Sequence, residues 1–113
     1  MKKTEAINTI RTAIVSNNRA LYKALLIIYE NQTSEEKSAQ TTIEDNEVGF
    51  SGVDARLLSS FAAYLQRWGD LTERQLVHAR KKMPKYARQI LDLSLAKGIW
   101  KNEGREYYLT KSV

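Results

Sequence analysis

The sequence predicts a mainly α-helical domain of four to five helices with a C-terminal β-hairpin. Three observations predict it. Apolar residues recur at three- and four-residue steps through most of the chain, helix start and stop signals stand at the ends of those runs, and the last segment carries aromatic residues on both sides of an Asn-Glu-Gly stretch. At 113 residues, with 42% hydrophobic and 27% charged content, the chain can bury one core, and its apolar share is that of a globular protein rather than a disordered one. A single domain over residues 1–113 is therefore expected.

Ile7, Ile10 and Ile14 mark a first helical stripe, and Leu21, Leu25 and Ile28 continue it after the polar interruption Ser16-Asn17-Asn18. The spacing predicts one long helix or two abutting ones. The run Leu25 to Tyr29 is apolar nearly all round, which predicts the most buried helix of the domain. Residues 31–53 are polar and acidic, with Gly49 and Gly52 near their end, and read as loop with a short helical turn from Ser34 to Ser38. Such a length of loop in a small domain points to an interaction segment.

Asp54 reads as the N-cap of the next helix, in which Leu57, Leu58, Phe61, Leu65 and Trp68 form an apolar stripe and Gly69 supplies the left-handed stop. Thr72 with Gln75 three residues later makes a capping box, and Leu71 with Leu76 makes a hydrophobic staple, so a helix begins at Glu73. Pro84 should end or kink that helix near Met83 and sit in the first turn of another, which reaches about Lys97 and is capped by Gly98. The segment Ile99 to Leu109 suits a hairpin with a type I turn and Gly104 in the left-handed position.

The chain has no cysteine, which excludes disulfides and thiolate metal sites and fits a cytoplasmic compartment. Thr4, Glu5 and Asn8 stand where a signal peptide would place its apolar stretch, and the apolar run at 24–29 is too short to span a bilayer, so no membrane role is expected. The net charge of +5 is unevenly spread: residues 1–29 carry +4, residues 30–54 carry −6, residues 55–70 carry +1 and residues 71–113 carry +6. The middle is acidic and the end basic, which suggests a basic face for nucleic acid or an acidic segment folded against the basic half.

The main candidate site is cationic: Arg74, Arg80, Lys81, Lys82, Lys85 and Arg88, followed by Lys97, Lys101 and Arg105. If Pro84 only kinks the chain, Arg74, His78, Lys81, Lys85 and Arg88 form one stripe. Long side chains of one sign on one face bind a phosphate backbone by releasing its counterions. The competing reading is a solvated face whose cations pair with the acidic middle.

The order of capped helix, break, basic helix and hairpin is also that of a winged helix-turn-helix. There, residues 84–97 would be the recognition helix, Lys85, Arg88 and Gln89 would contact DNA, and the turn from Asn102 to Arg105 would be the wing. The alternative is a hairpin that simply closes the core with Trp100, Tyr107 and Leu109. Of Tyr107 and Tyr108, one should face outward near Lys101 and Arg105, where it would offer a base-stacking ring.

Glu44, Asp45 and Glu47 lack the ligand spacing of a calcium loop, and no metal or cofactor is expected. His78 is the single histidine, and neither a glycine-rich phosphate loop nor a nucleophile elbow is present, so the chain does not read as an enzyme.

The blocks Val48-Gly49-Phe50-Ser51-Gly52-Val53-Asp54-Ala55, Leu58-Ser59-Ser60, Leu71-Thr72 with Gln75, Ala79 to Met83, and Lys85 to Ile90 together resemble a pattern in small, mostly uncharacterised proteins of bacteriophages, prophages and plasmids. A similar segment is attached to some helicase-like proteins of mobile elements. The resemblance spans about residues 20–92; at position 51, where it leads one to expect Asn, this chain has Ser. It implies a mobile-element protein and favours DNA as the partner, without implying any catalytic residue. Two functions follow as expectations. The first is a DNA-binding accessory or regulatory protein of a mobile element, with the cations above and Gln89 as contacts. The second is a small inhibitor of a host defence or replication protein, of anti-restriction or anti-CRISPR kind, in which acidic residues 35–47 would matter as much. The hairpin edge also offers a surface for a homodimer.

Overall fold

Ala6, Ile7, Ile10 and Ile14 bury one face of the first helix, α1 (Lys3–Ser16). Asn17 then leaves the helical region, with φ −137° and ψ 118°. Its side-chain Oδ1 accepts the N–H groups of Arg19 at 2.8 Å and Ala20 at 3.3 Å. One residue thus ends α1 and caps α2 (Asn18–Ala39). The computed structural model describes the backbone of residues 1–39 and 50–110 and the side chains of 1–32 and 50–110.

In α2 the residues Leu21, Leu25 and Ile28 are fully buried. The helix runs on to Ala39 through residues expected to be loop, taking in the turn expected at Ser34 to Ser38. The physical reason is propensity: residues 30–39 contain no Gly or Pro and include Glu, Gln, Lys and Ala, which favour helix without an apolar stripe to advertise it. Of the rest of the expected loop, residues 40–49 lie outside the described residues, and Gly52 and Val53 already belong to the next helix.

The next helix, α3 (Gly52–Trp68), has Ser51 as its N-cap residue and ends at Gly69 with φ 79°. Asp54 is therefore not the cap but the third residue of the helix, and it is buried. Leu58, Phe61 and Leu65 are buried as the stripe predicts, whereas Trp68, expected among them, is 62% exposed. It is the last residue of the helix, beyond the reach of the core that covers Leu65.

The capping box of α4 (Glu73–Lys82) forms as expected: Gln75 N–H donates to Thr72 Oγ1 at 3.2 Å and Thr72 N–H to Gln75 Oε1 at 2.9 Å. A 3-10 turn (Met83–Tyr86) with Pro84 in its first turn joins α4 to α5 (Ala87–Ala96). α5 stops in a Schellman motif, with Gly98 at φ 77° and the N–H groups of Gly98 and Ile99 donating to Leu95 and Ser94 carbonyls.

Strands β1 (Trp100–Glu103) and β2 (Glu106–Leu109) pair antiparallel, Trp100 opposite Leu109 and Glu103 opposite Glu106. The connection is the two-residue loop Gly104-Arg105, with Gly104 at φ 61°. Gly104 is left-handed as expected, but two-residue loops favour the mirror-image turns, which follow the strand twist better than the expected type I turn. Met1 lies along the outer edge of β2, where its carbonyl accepts Tyr107 N–H at 2.6 Å.

The fold is thus mainly α with a C-terminal hairpin, and α5 is its centre. Ala87, Ile90, Leu91 and Ser94 are buried, while α5 packs on α1, α2, β1 and the 3-10 turn. The expected element order is present, but α4 and α5 each pack on the 3-10 turn more than on one another, unlike two helices folded together across a tight turn. α5 shows solvent only Arg88, Asp92, Ala96 and their edges, a narrow face for a recognition helix. Among the described residues, no helix is long and apolar enough to cross a membrane.

Candidate nucleic-acid interface and the Asp54 cluster

From Glu73 to Ala96 the chain passes from α4 through the 3-10 turn into α5; Lys82, Met83 and Ala87 keep right-handed helical dihedrals, while Tyr86, directly before α5, departs from them at φ −92° and ψ 7°. Pro84 kinks the path without sending it into an extended segment. Arg74, His78, Lys81, Lys85 and Arg88 are all exposed along it. Lys101 and Arg105 are exposed on the hairpin. Among the described residues, Arg74, Lys81, Arg88, Lys101 and Arg105 take part in no ion pair.

Four residues of the expected nucleic-acid site, Arg80, Lys82, Lys85 and Gln89, make contacts within the protein or are partly withdrawn from solvent. Arg80 is half-buried and turns towards α2, where its guanidinium donates to Asn18 Oδ1. Gln89 is half-buried, with its Nε2 shut away from solvent and without a hydrogen-bond partner among the described residues. Neither is free to reach a phosphate or a base. Lys82 and Lys85 converge on Asp54, with Nζ to carboxylate distances of 3.2 Å and 2.5 Å. Lys85 nevertheless keeps 54% of its side chain in solvent.

Asp54 itself is 1% exposed. Besides the two ammonium groups it accepts the Tyr86 hydroxyl at 2.8 Å and the Ser51 hydroxyl at 3.4 Å. The Tyr86 oxygen in turn accepts the Ser51 N–H at 3.0 Å. Phe50 packs edge-on against the Tyr86 ring at 5.7 Å, and its N–H donates to Gln32 Oε1 at 2.9 Å. Burial alone would push the Asp54 carboxyl up, but the donors Lys85, Tyr86 and Lys82 outweigh it and hold its pKa at about 2. The same contact raises the pKa of Lys85, and burial together with the anionic neighbour raises that of Tyr86.

An aspartate this acidic is a poor proton acceptor at neutral pH, and the Tyr86 hydroxyl is buried and bonded on both sides. The cluster ties α3 to the end of α4 and to the 3-10 turn. Among the described residues it also meets, at Asp54, part of the expectation that acidic middle residues pair with the basic half; the side chains of Glu35, Glu36, Glu44, Asp45 and Glu47 lie outside those residues.

On the hairpin, Tyr108 faces outward as one of the two tyrosines should, opposite Lys101, and its hydroxyl donates to Glu103 Oε1 at 3.0 Å. Sequence reasoning missed a second exposed ring. Trp68 stands at the end of α3 with the Arg67 guanidinium 5.2 Å from its ring centroid and Tyr64 at 6.3 Å. Its position as the final stripe residue, next to a helix-stopping glycine, is the one local sign that the core would not cover it. Among the described residues no three acidic or histidine side chains are placed to hold a metal ion. Comparison of the chain with family models, with curated proteins and with solved structures finds no match.

Proposed function

We propose that the chain is a non-enzymatic DNA-binding accessory or regulatory protein of a mobile genetic element, acting in the cytoplasm of a bacterial host. It contacts phosphates through the solvent side of α4, the 3-10 turn and the start of α5. The observation that carries this reading is that Arg74, His78, Lys81, Lys85 and Arg88 are all exposed along the path from α4 through the 3-10 turn into α5. Lys101 and Arg105 add to the field from the hairpin. The Asp54 carboxylate offsets one of the two charges of Lys82 and Lys85, so this pair still contributes net positive charge.

Binding of this kind releases counterions and weakens with salt, each phosphate contact contributing about 0.9 to the slope of log affinity against log salt. The test is a salt titration on duplex DNA of random sequence with the double variant Lys81→Glu/Arg88→Glu, which leaves the Asp54 cluster intact. The variant should bind all sequences more weakly, with a slope shallower by roughly 2. Unchanged binding by the folded variant removes these residues from the interface. Absence of wild-type binding even at low salt overturns the function.

A further inference from the structure

We propose that the exposed side of α3 is a site for single-stranded nucleic acid, with an unpaired base stacked on Trp68 and neighbouring phosphates held by Arg67 and Arg56. The inference rests on the DNA-binding reading above and adds a strand preference and a second surface to it. Two observations and one property of the ligand carry it.

The first is the ring. Indole is costly to leave in water, yet Trp68 is 62% exposed while the other tryptophan, Trp100, is 4% exposed. The Arg67 guanidinium lies over the indole and the Tyr64 ring lies tilted beside it, and the side chain nonetheless stays mostly in solvent. An exposed aromatic ring with a guanidinium against it is a surface on which a nucleobase stacks, and the cation adds its own attraction to the π system.

The second is charge. Arg56, Ser60, Ala63 and Arg67 follow one another at steps of four, three and four residues and are all exposed, so they form one strip along α3. The single acid of that helix is Asp54, which is buried and paired, so the exposed side of α3 carries two arginines and no carboxylate. Asp70, just beyond the helix, has its carboxylate turned to the Tyr22 hydroxyl at 2.7 Å. The small side chains between the arginines leave a backbone room to approach, over a distance of roughly 16 Å at the helical rise.

The third is accessibility of the ligand. In a duplex both faces of each base are already stacked, so an indole on an outer helix end can engage only a base that is unpaired.

The two tryptophans supply the readout. Oligothymidylate titrated into the wild-type protein should quench Trp68 emission, and Trp68→Phe, which retains only buried Trp100, should show no such response. An abasic oligonucleotide of equal length carries the phosphates without the bases and should quench far less. Trp68→Ala should weaken single-strand binding about tenfold and leave duplex binding unchanged. Equal quenching by the abasic chain, or equal single-strand affinity in Trp68→Ala, overturns the stacking site. If duplex binding is present and sensitive to Lys81→Glu/Arg88→Glu while Trp68 stays silent to every oligonucleotide, this inference fails and the DNA-binding function stands. If neither strand form binds, both fail, and Trp68 becomes the anchor to test against a protein partner.

Discussion

A carboxylate withdrawn from water keeps its charge only where cations and hydrogen-bond donors replace the lost solvent, and Asp54 has Lys82, Lys85 and Tyr86 in that role. Its pKa of about 2 lies below the unfolded carboxylate range, so the folded state gains from ionisation. The gain is complete above about pH 4 and disappears as pH falls towards about 2. Asp54→Asn keeps an acceptor for Tyr86 but removes the charge. It should cost about 2 kcal/mol at neutral pH, with the difference from wild type shrinking through that acid window in urea melts. A difference that stays constant down to pH 2 would mean the ion pairs contribute nothing. None of this was legible locally: an acid three residues after Ser51, at the start of a helical stripe, looks like a cap. Lys82, Lys85 and Tyr86 are 28, 31 and 32 positions away, and no spacing rule connects them. Arg80 left the expected site for the same reason, since its acceptor Asn18 is 62 positions away.

Helix ends were the most legible feature, because each cap is decided within about five residues. Thr72 with Gln75, Gly69 and Gly98 all act as the sequence predicts. Asn17 was visible only as a polar interruption, and the structure gives it a double role between α1 and α2. Asn17→Ala removes the acceptor for Arg19 and Ala20 N–H and should destabilise the protein by ~1 kcal/mol, while Asn17→Ser should recover most of that loss. Chemical denaturation of the two variants side by side checks it; equal loss in both would assign the effect to the backbone bend and not to the side-chain cap. The far half of α2 escaped sequence reading for a different reason. Apolar periodicity detects helices by the face they bury, so a polar stretch held by propensity leaves no stripe to find. The continuity from α4 to α5 hung on one residue, Pro84, whose effect in sequence is equally compatible with a break and a kink.

At the scale of the molecule, the helices and hairpin share one core whose middle is α5. Leu91 is fully buried in it, on a helix that touches α1, α2 and β1, and Trp100 closes the same core from the hairpin. The hydrophobic pattern made this core legible, since nearly every stripe residue except Trp68 is buried. The segmental charge pattern was legible only as a sum. Which cations stay free depends on how α2 and α3 pack against the α4 region, where Asn18 and Asp54 each take basic side chains. If the core is shared, a cavity in α5 must be felt by the hairpin. Leu91→Ala should cost about 3 kcal/mol and lower the denaturation midpoint without changing the slope. Followed in a Trp68→Phe background, helix ellipticity and Trp100 emission should fall together in one transition, in wild type and variant alike. Separate midpoints would show that the hairpin is an appendage to an independently folded helical core. In that case Lys101 and Arg105 would not be fixed relative to the basic path through α4, and their contribution to DNA binding would be lost before the helices unfold.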